Sequence, residues 1–479
     1  MNKRAIGILS GPLVGIVFYF LAVYNDLAHN LAVMLLITCW MAIWWLSEAV
    51  DIAVTALLPF VLMPLLNILK AEEVAVQYMD QTIFLFIGGF FLAYAMEKWN
   101  LHLRIAYRII LLTGSSPAKV LAGIMLTTFI ISMWISNTAT TLMLVAAVAA
   151  IVNHKDLFKE TPKQNIPAAF LIGLAYSATI GGMATSVGTP TNMIFVSFWE
   201  KHYALAEPIS FLRWAKFGIP FALLLNGCGY YILKKRFSIN NIQSPRAFIE
   251  KKYAELGKIT REQKTVILFF SLTVILWFTR SGIEIGQYKL TGWEQWFGKG
   301  YVKDSTVAIL TALCLFIIPA KEKSMHILEW DDVKKIPYRI ILLFGGGFAL
   351  AKGIEISGMG NFLAEKLTFF KDYPLWILII VLAVIITLLS EIASNVATIT
   401  LMLPILASLA TAIHVDPLKL MLPATFAASF GFMLVIATAP NTIAYATGKF
   451  KSRDILGAGL LMNFIGILLL TLAMLVFEF

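Results

Sequence analysis

The chain has 479 residues, 59% hydrophobic and 14% charged, with a formal net charge of +10 and a mean hydropathy of +0.80. Soluble domains carry about 25% charged residues, so an ordinary soluble enzyme or binding module is excluded and a membrane protein is indicated. The positive balance reads as basic loops that orient a chain in the bilayer, not as a nucleic-acid surface.

Apolar stretches near 20 residues, each enough to cross about 30 Å of hydrocarbon, recur along the whole length. The first, 5–24, follows Lys3 and Arg4 and has no small-residue cleavage site after it, so it reads as a retained extra helix within 1–30. Further spans are predicted at 31–49, 52–69, 82–112, 167–198, 209–233, 264–280, 304–319, 338–365, 418–447 and 454–478, which makes eleven. Two long apolar stretches remain, about 119–152 and 376–411, each nearly twice a single crossing. Each has a polar Ser-Asn pair at its middle: "SMWISNTATTLML" from Ser132 and "SEIASNVATITLML" from Ser390. A hairpin that enters and leaves on one side fits these better than a span. Non-helical backbone at that depth is tolerable only where it is buried in protein or lines a wet cavity.

With the N-terminus inside, the inner loops hold 22 Lys and Arg and the outer loops 8. That asymmetry predicts a cytoplasmic N-terminus and an external C-terminus in a cell (inner) membrane. The polar stretch 234–263 divides the chain into halves, 31–233 and 264–479. Cys39, Cys228 and Cys314 all lie in apolar spans and imply no disulfide framework. No pair of histidines has metal-ligand spacing.

The halves repeat one another. Ser132, Ser136 and Asn137 lie 258 residues before Ser390, Ser394 and Asn395, and "FIGGFFLAYAMEK" from Phe86 precedes "FGGGFALAKGIEI" from Phe344 by the same offset. After each hairpin comes a second match, "GMATSVGTPTN" ending at Asn192 and "FMLVIATAPN" ending at Asn441. Small residues that pack helices closely account for the glycine clusters, but not for the repeated Asn and Thr. Five spans and a hairpin per half is an odd number of crossings, so the repeats are inverted. Inverted repeats with interrupted segments at matching positions point to a secondary transporter with a midplane site.

A turn inside the membrane frees backbone groups, and the half-helix ends beside it carry partial charges. Ser hydroxyls, the Asn side-chain carbonyl and backbone carbonyls are hard donors for a hard cation. The Asn NH₂ and the Thr hydroxyl can donate to a carboxylate. Gly188-Thr189-Pro190 and Ala437-Thr438 read as breaks in the spans after the hairpins, with Gly188 and Ala437 small enough to let carbonyls approach an ion. Two such turns from opposite sides would clamp one anion between cations. Glu391, beside the second motif, is read as a hydrogen-bonded structural acid rather than a proton-coupling group; its counterpart is Met133. No histidine lies near either motif, which argues against an intramembrane enzyme.

At these residues, and in "WWLSEAVDIAVTALLPFVLMPLL", the chain resembles the divalent anion:sodium symporter family over nearly its whole length. The resemblance implies an all-α polytopic membrane protein of about eleven transmembrane helices and two re-entrant hairpins in two inverted-topology repeats, assembled as a homodimer. It implies an elevator mechanism, with a transport domain of about 119–198 plus 376–447 moving against a scaffold of the remaining helices. Carried over by motif, one sodium site is Ser132, Ser136, Asn137 and the Gly188 carbonyl; the other is Ser390, Ser394, Asn395 and the Ala437 carbonyl. Substrate carboxylates would meet Asn137, Thr138 and Asn395, with Val396, Thr189 and Thr438 nearby. Val396 has no hydroxyl where Thr138 has one, which bears on substrate choice. The implied activity is symport of C4-dicarboxylates with two or more Na⁺, the rivals being sodium-independent exchange and transport of citrate or another divalent anion.

Overall fold

A computed structural model describes residues 3–114, 116–153, 165–203, 205–239, 246–285, 288–298, 300–321 and 326–476. Lys3–Tyr24 runs along His29–Ser47. Gly7, Gly11 and Gly15 lie so close to Ala49, Trp44 and Leu36 that a Cβ at any of them would collide, the close approach that small residues four apart permit.

Among the described residues, eight helices are long and apolar enough to cross a bilayer, or nine if Tyr338–Ile356 and Met359–Asp372, bent by 76°, form one span. The two counts cover different segments: the eight include Leu375–Ile392 and Asn395–Ile413, which the sequence drew as one hairpin outside the eleven, and they omit Phe211–Arg236 and the short Asp304–Ile317. Five of the eleven drawn spans are each two helices. Those at 52–69 and 82–112 become Ile52–Thr55 with Leu58–Leu65, and Gln81–Lys98 with Leu101–Thr113. That at 167–198 becomes Ile166–Ala184 with Pro190–His202. Those at 338–365 and 418–447 become Tyr338–Ile356 with Met359–Leu367, and Leu418–Ala427 with Ala439–Ala446. Two of these breaks have a local cause. Asn100 (φ 54°) and Gly358 (φ 75°) adopt the left-handed backbone that ends one helix and redirects the chain. The stretch 234–263 is also not all loop. Helix Arg246–Glu255 packs on Leu101–Thr113, and Arg104 donates to the carbonyls of Leu256 (2.9 Å) and Gly257 (3.0 Å).

The two stretches drawn as hairpins from the sequence are each two helices, Pro117–Ser132 with Asn137–Asn153 and Leu375–Ile392 with Asn395–Ile413. Ile166–Ala184 is buried along its whole length, between the first hairpin, Phe211–Arg236 and Ala439–Ala446. A second, smaller core joins His29–Ser47, Leu58–Leu65 and Tyr338–Ile356 to Ala397 of the second hairpin. The glycine clusters are packing devices, as the sequence indicated: Gly88 abuts Ala308, Gly345 abuts Tyr78 and Gly346 abuts Ala56.

The halves interlock. Asn137–Asn153 of the first hairpin packs on Ala439–Ala446 of the second half, and Asn395–Ile413 packs on Pro190–His202 of the first. Each Ser-Asn turn therefore faces the broken helix of its own half while its outgoing arm lies against the broken helix of the other.

Candidate functional site

Both hairpins stop being helical just before the Ser-Asn pair and resume at the Asn. Asn137 and Asn395 thus open new helices, with the first N–H groups at the positive end of each; at Asn137 the Ser136 hydroxyl accepts from the Ala139 N–H at 3.4 Å. Ser132 is fully buried on the incoming arm, and its Oγ donates to the Ala178 carbonyl at 2.6 Å while lying 3.0 Å from Asn137 Oδ1. Ser390, also fully buried, donates to the Ala428 carbonyl and lies 2.8 Å from Asn395 Oδ1. One hydroxyl carries one proton, so it cannot serve two acceptors at once. In each half, two side-chain oxygens and a backbone carbonyl converge with one proton among them. Hard, neutral oxygens of this kind are the donor type that suits a hard cation. Among the described residues no group of three His, Cys, Asp or Glu side chains is arranged around a metal ion, so neutral oxygens are what these turns offer.

The same pairing recurs at the breaks. Asn192 donates to the carbonyls of Gly182 (3.0 Å) and Thr185 (2.8 Å), and Asn441 to those of Gly431 (2.8 Å) and Leu434 (3.0 Å). Each Asn clamps the unwound backbone that precedes its own helix. A Cβ on Gly182 would lie 2.2 Å from Asn137 Oδ1, and one on Gly188 would lie 2.6 Å from the Gly182 carbonyl. Ser132, Asn137 and Gly188 are therefore gathered in one place. Ser136 faces the same neighbourhood: with Gly188, Val187, Pro190 and Trp134 it lines a small pocket. In the second half a Cβ on Gly431 would meet the Ala437 Cβ at 3.3 Å, so Ala437 stands at the equivalent of Gly188.

The residues expected near substrate differ in setting. Thr138 is exposed, whereas Val396 is half-buried and packs against both hydrophobic cores. Thr189 and Thr438 are buried at the starts of their helices; Thr438 Oγ1 accepts from the Asn441 N–H at 3.3 Å, and Thr189 Oγ1 accepts from Thr191 at 3.3 Å. Ser394 precedes Asn395 without capping the helix. Among the described residues the NH₂ groups of Asn137 and Asn395 have no protein partner, so each amide keeps a donor for a ligand while its oxygen faces Ser.

Sequence reasoning missed the side chains that hold the breaks together. Tyr176 is fully buried; its hydroxyl lies 2.8 Å from the Phe432 carbonyl, to which its one proton can go, and 3.1 Å from the Ile455 carbonyl. The hydroxyls of Thr191 and Ser429 meet across the halves at 3.3 Å. Thr185 donates to the Met133 carbonyl. Thr185 and Thr191 stood in the repeated "GMATSVGTPTN" and could have been suspected; nothing in the local sequence marked Tyr176 or Ser429.

Two turns with the same three-oxygen arrangement, each fixed to a broken helix, set the terms for comparison with known proteins. Residues 4–478 match the family described as the sodium:sulfate symporter transmembrane region. This chain belongs to that family, the divalent anion:sodium symporters. It is 36% identical to the sodium-dependent dicarboxylate transporter SdcS of Staphylococcus saprophyticus, and 38% identical to the SdcS of Staphylococcus aureus. Both matches cover 98% of this chain and 90% of the relative. The crystal structure of the Alcanivorax borkumensis YdaH transporter is similar in fold, with a TM-score of 0.56 over 87% of this chain and 88% of that one, at 11% identity. Members of the family are transporters rather than enzymes, and this one is a multi-pass membrane protein.

Proposed function

We propose that the protein is a Na⁺-coupled symporter of C4-dicarboxylates such as succinate, malate and fumarate. What supports the reading most directly is the shared-proton arrangement at Ser132, Asn137 and the Ala178 carbonyl, repeated at Ser390, Asn395 and the Ala428 carbonyl. A sodium ion in each turn, ligated also by Ser136 and the Gly188 carbonyl in one and by Ser394 and the Ala437 carbonyl in the other, would bridge oxygens that one proton leaves facing each other. Two positive ions and four helix starts, at Asn137, Pro190, Asn395 and Ala439, would then offset a dianion without any Lys or Arg. The carboxylates would take the free NH₂ groups of Asn137 and Asn395 and the Thr138 hydroxyl, with Thr189, Val396 and Thr438 around them.

The hairpins are re-entrant in this reading, from opposite faces of a cell membrane, with the N-terminus cytoplasmic and the C-terminus external. Residues of about 119–198 and 376–447 form a transport unit that moves as an elevator against the remaining helices, within a homodimer held in lipid. The relatives named sodium-dependent dicarboxylate transporters support the choice of ion and substrate class.

Uptake of labelled succinate into proteoliposomes tests the proposal. Uptake should require an inward Na⁺ gradient, should fall to background in choline, and should be supported poorly by Li⁺. Equal uptake in choline, driven only by internal dicarboxylate, would establish sodium-independent exchange instead. Competition by citrate stronger than by malate or fumarate would reassign the substrate class.

A further inference from the structure

The two turns are alike, but the backbone behind them is not. In the first half the unwound segment is short, 185–189, and is pinned by the Thr185 hydroxyl on the Met133 carbonyl. In the second half it runs over 428–438, where successive residues lose their helical partners. The N–H groups of Met433 and Leu434 are among those freed, and freed backbone donors inside a membrane protein must find acceptors. Both go to one side chain. Glu391 Oε1 accepts from Met433 N and Oε2 from Leu434 N, each at 2.8 Å. Asn463 Nδ2, on the helix Ser452–Val476, also donates to Oε1 at 2.7 Å. The carboxylate is 2% exposed and is faced by donors on both oxygens.

We infer that Glu391 is the positioning residue of the second cation site, holding the 428–438 backbone so that its carbonyls meet Asn395 and Ser390. This rests on the symport reading above. Glu391 directly follows Ser390, whose hydroxyl binds the Ala428 carbonyl at the start of the same segment. Glu391 grips the segment further on, at Met433 and Leu434. Asn441 takes the Gly431 and Leu434 carbonyls, and Tyr176 takes the Phe432 carbonyl. Two donors of the segment are thus held by one acid, and its carbonyls by the Asn441 amide, the Tyr176 phenol and the Ser390 and Thr442 hydroxyls. Removing the acid frees two N–H groups while the carbonyl clamps remain, which lets the carbonyls between them rotate away from the turn. The first half has no counterpart, because Met133 stands where Glu391 does and offers only its backbone carbonyl. The effect therefore falls on one of the two cation sites.

The test uses the full-length protein, with Glu391→Gln, Asn463→Ala and wild type compared in two assays. One is succinate uptake into proteoliposomes as a function of Na⁺. The other is the rise in melting temperature on adding Na⁺ to detergent-solubilised protein, which needs no transport. Gln keeps the shape but turns one acceptor into a donor facing an N–H. The expected result is a tenfold or larger rise in the Na⁺ concentration for half-maximal uptake, with succinate KM and maximal rate at saturating Na⁺ within twofold of wild type. The Na⁺-dependent thermal shift should weaken in parallel, and Asn463→Ala should move both readouts the same way by a smaller factor. A purely structural role would lower the melting temperature equally with and without Na⁺ and leave the Na⁺ dependence unmoved, which would overturn the inference. If Glu391→Gln does not fold, an unchanged Na⁺ curve in Asn463→Ala overturns it instead. Wild-type protein indifferent to Na⁺ in both assays would refute the symport reading and this inference with it; a Na⁺-dependent wild type with unmoved variants refutes the inference alone.

Discussion

Gly182→Ala isolates the first turn. The new Cβ would stand 2.2 Å from Asn137 Oδ1, against the 3.4 Å of an ordinary contact, so the amide must retreat by about 1.2 Å. The obstructed atom is the end of a side chain, and Asn137 is only half-buried, so the amide can swing aside. The overpacking should therefore cost no more than about 1–3 kcal/mol of stability and leave the protein folded. The retreat has a chemical consequence. Asn137 Oδ1 now lies 3.0 Å from Ser132 Oγ, and a displacement of that size takes it out of reach of any ion the serine holds. Losing one ligand interaction with a charged partner is worth roughly 1.5–3 kcal/mol, or about ten- to a hundredfold in apparent Na⁺ affinity. Gly431→Ala is the internal comparison. Its Cβ would press on the Thr438 methyl at 2.8 Å and stand at an ordinary contact distance, 3.6 Å, from the Ala437 carbonyl oxygen, so it displaces no site oxygen and the Na⁺ dependence should shift by no more than about threefold. The measurement is succinate uptake against Na⁺, with melting temperature as the folding control. A wild-type Na⁺ curve in folded Gly182→Ala would mean that the Asn137 amide is not in the cation site.

Thr138→Val should weaken dicarboxylate binding by roughly 1.5–3 kcal/mol, about ten- to a hundredfold, while Val396→Thr should change only the ranking of succinate, malate, fumarate and citrate as competitors. Near-equal effects of the two on succinate affinity would remove the distinction drawn between the exposed Thr138 and the core-packed Val396. Arg280 is 7% exposed and is paired with Asp304 at 2.5 Å and with Glu294. Arg280→Ala leaves two carboxylates without their shared cation, for which a loss on the order of 3–5 kcal/mol is expected. It should appear as a lower melting temperature with the Na⁺ and succinate affinities unchanged.

Much of this architecture was legible in the sequence because membrane helices announce themselves by length and apolarity. A polar Ser-Asn in the middle of such a run has few explanations, and the 258-residue offset marked the two hairpins before any coordinates did. The breaks at Gly188 and Ala437 were legible for the same reason, as small residues and Pro inside an apolar run. What could not be read was how many pieces each run makes. The splits at Asn100 and Gly358 depend on single left-handed residues, and hydropathy averaged over 20 positions passes over them. Nor was the role of Glu391 legible, since its partners Met433, Leu434 and Asn463 lie 42, 43 and 72 residues away. Two of them are backbone groups that only an unwound segment exposes. Tyr176 is the limiting case: one tyrosine in an apolar helix, whose purpose appears only when the second half folds against it.

The contacts that cross between halves bear on how the protein is made. Tyr176 and Thr191 are synthesised in the first half, but Phe432, Ile455 and Ser429 arrive roughly 250 residues later. Until then the Tyr176 hydroxyl, destined for complete burial, has no final acceptor, Thr191 lacks its Ser429 partner, and Asn137–Asn153 has no Ala439–Ala446 to lie against. A nascent chain paused after the stretch near residue 240 would therefore hold its turn and its broken helix in a provisional state, dependent on the insertion machinery or on lipid-bound water. Two fragments cut there should each insert, yet regain a working site only when expressed together. The repeat records two copies of one plan, but neither copy is a protein by itself.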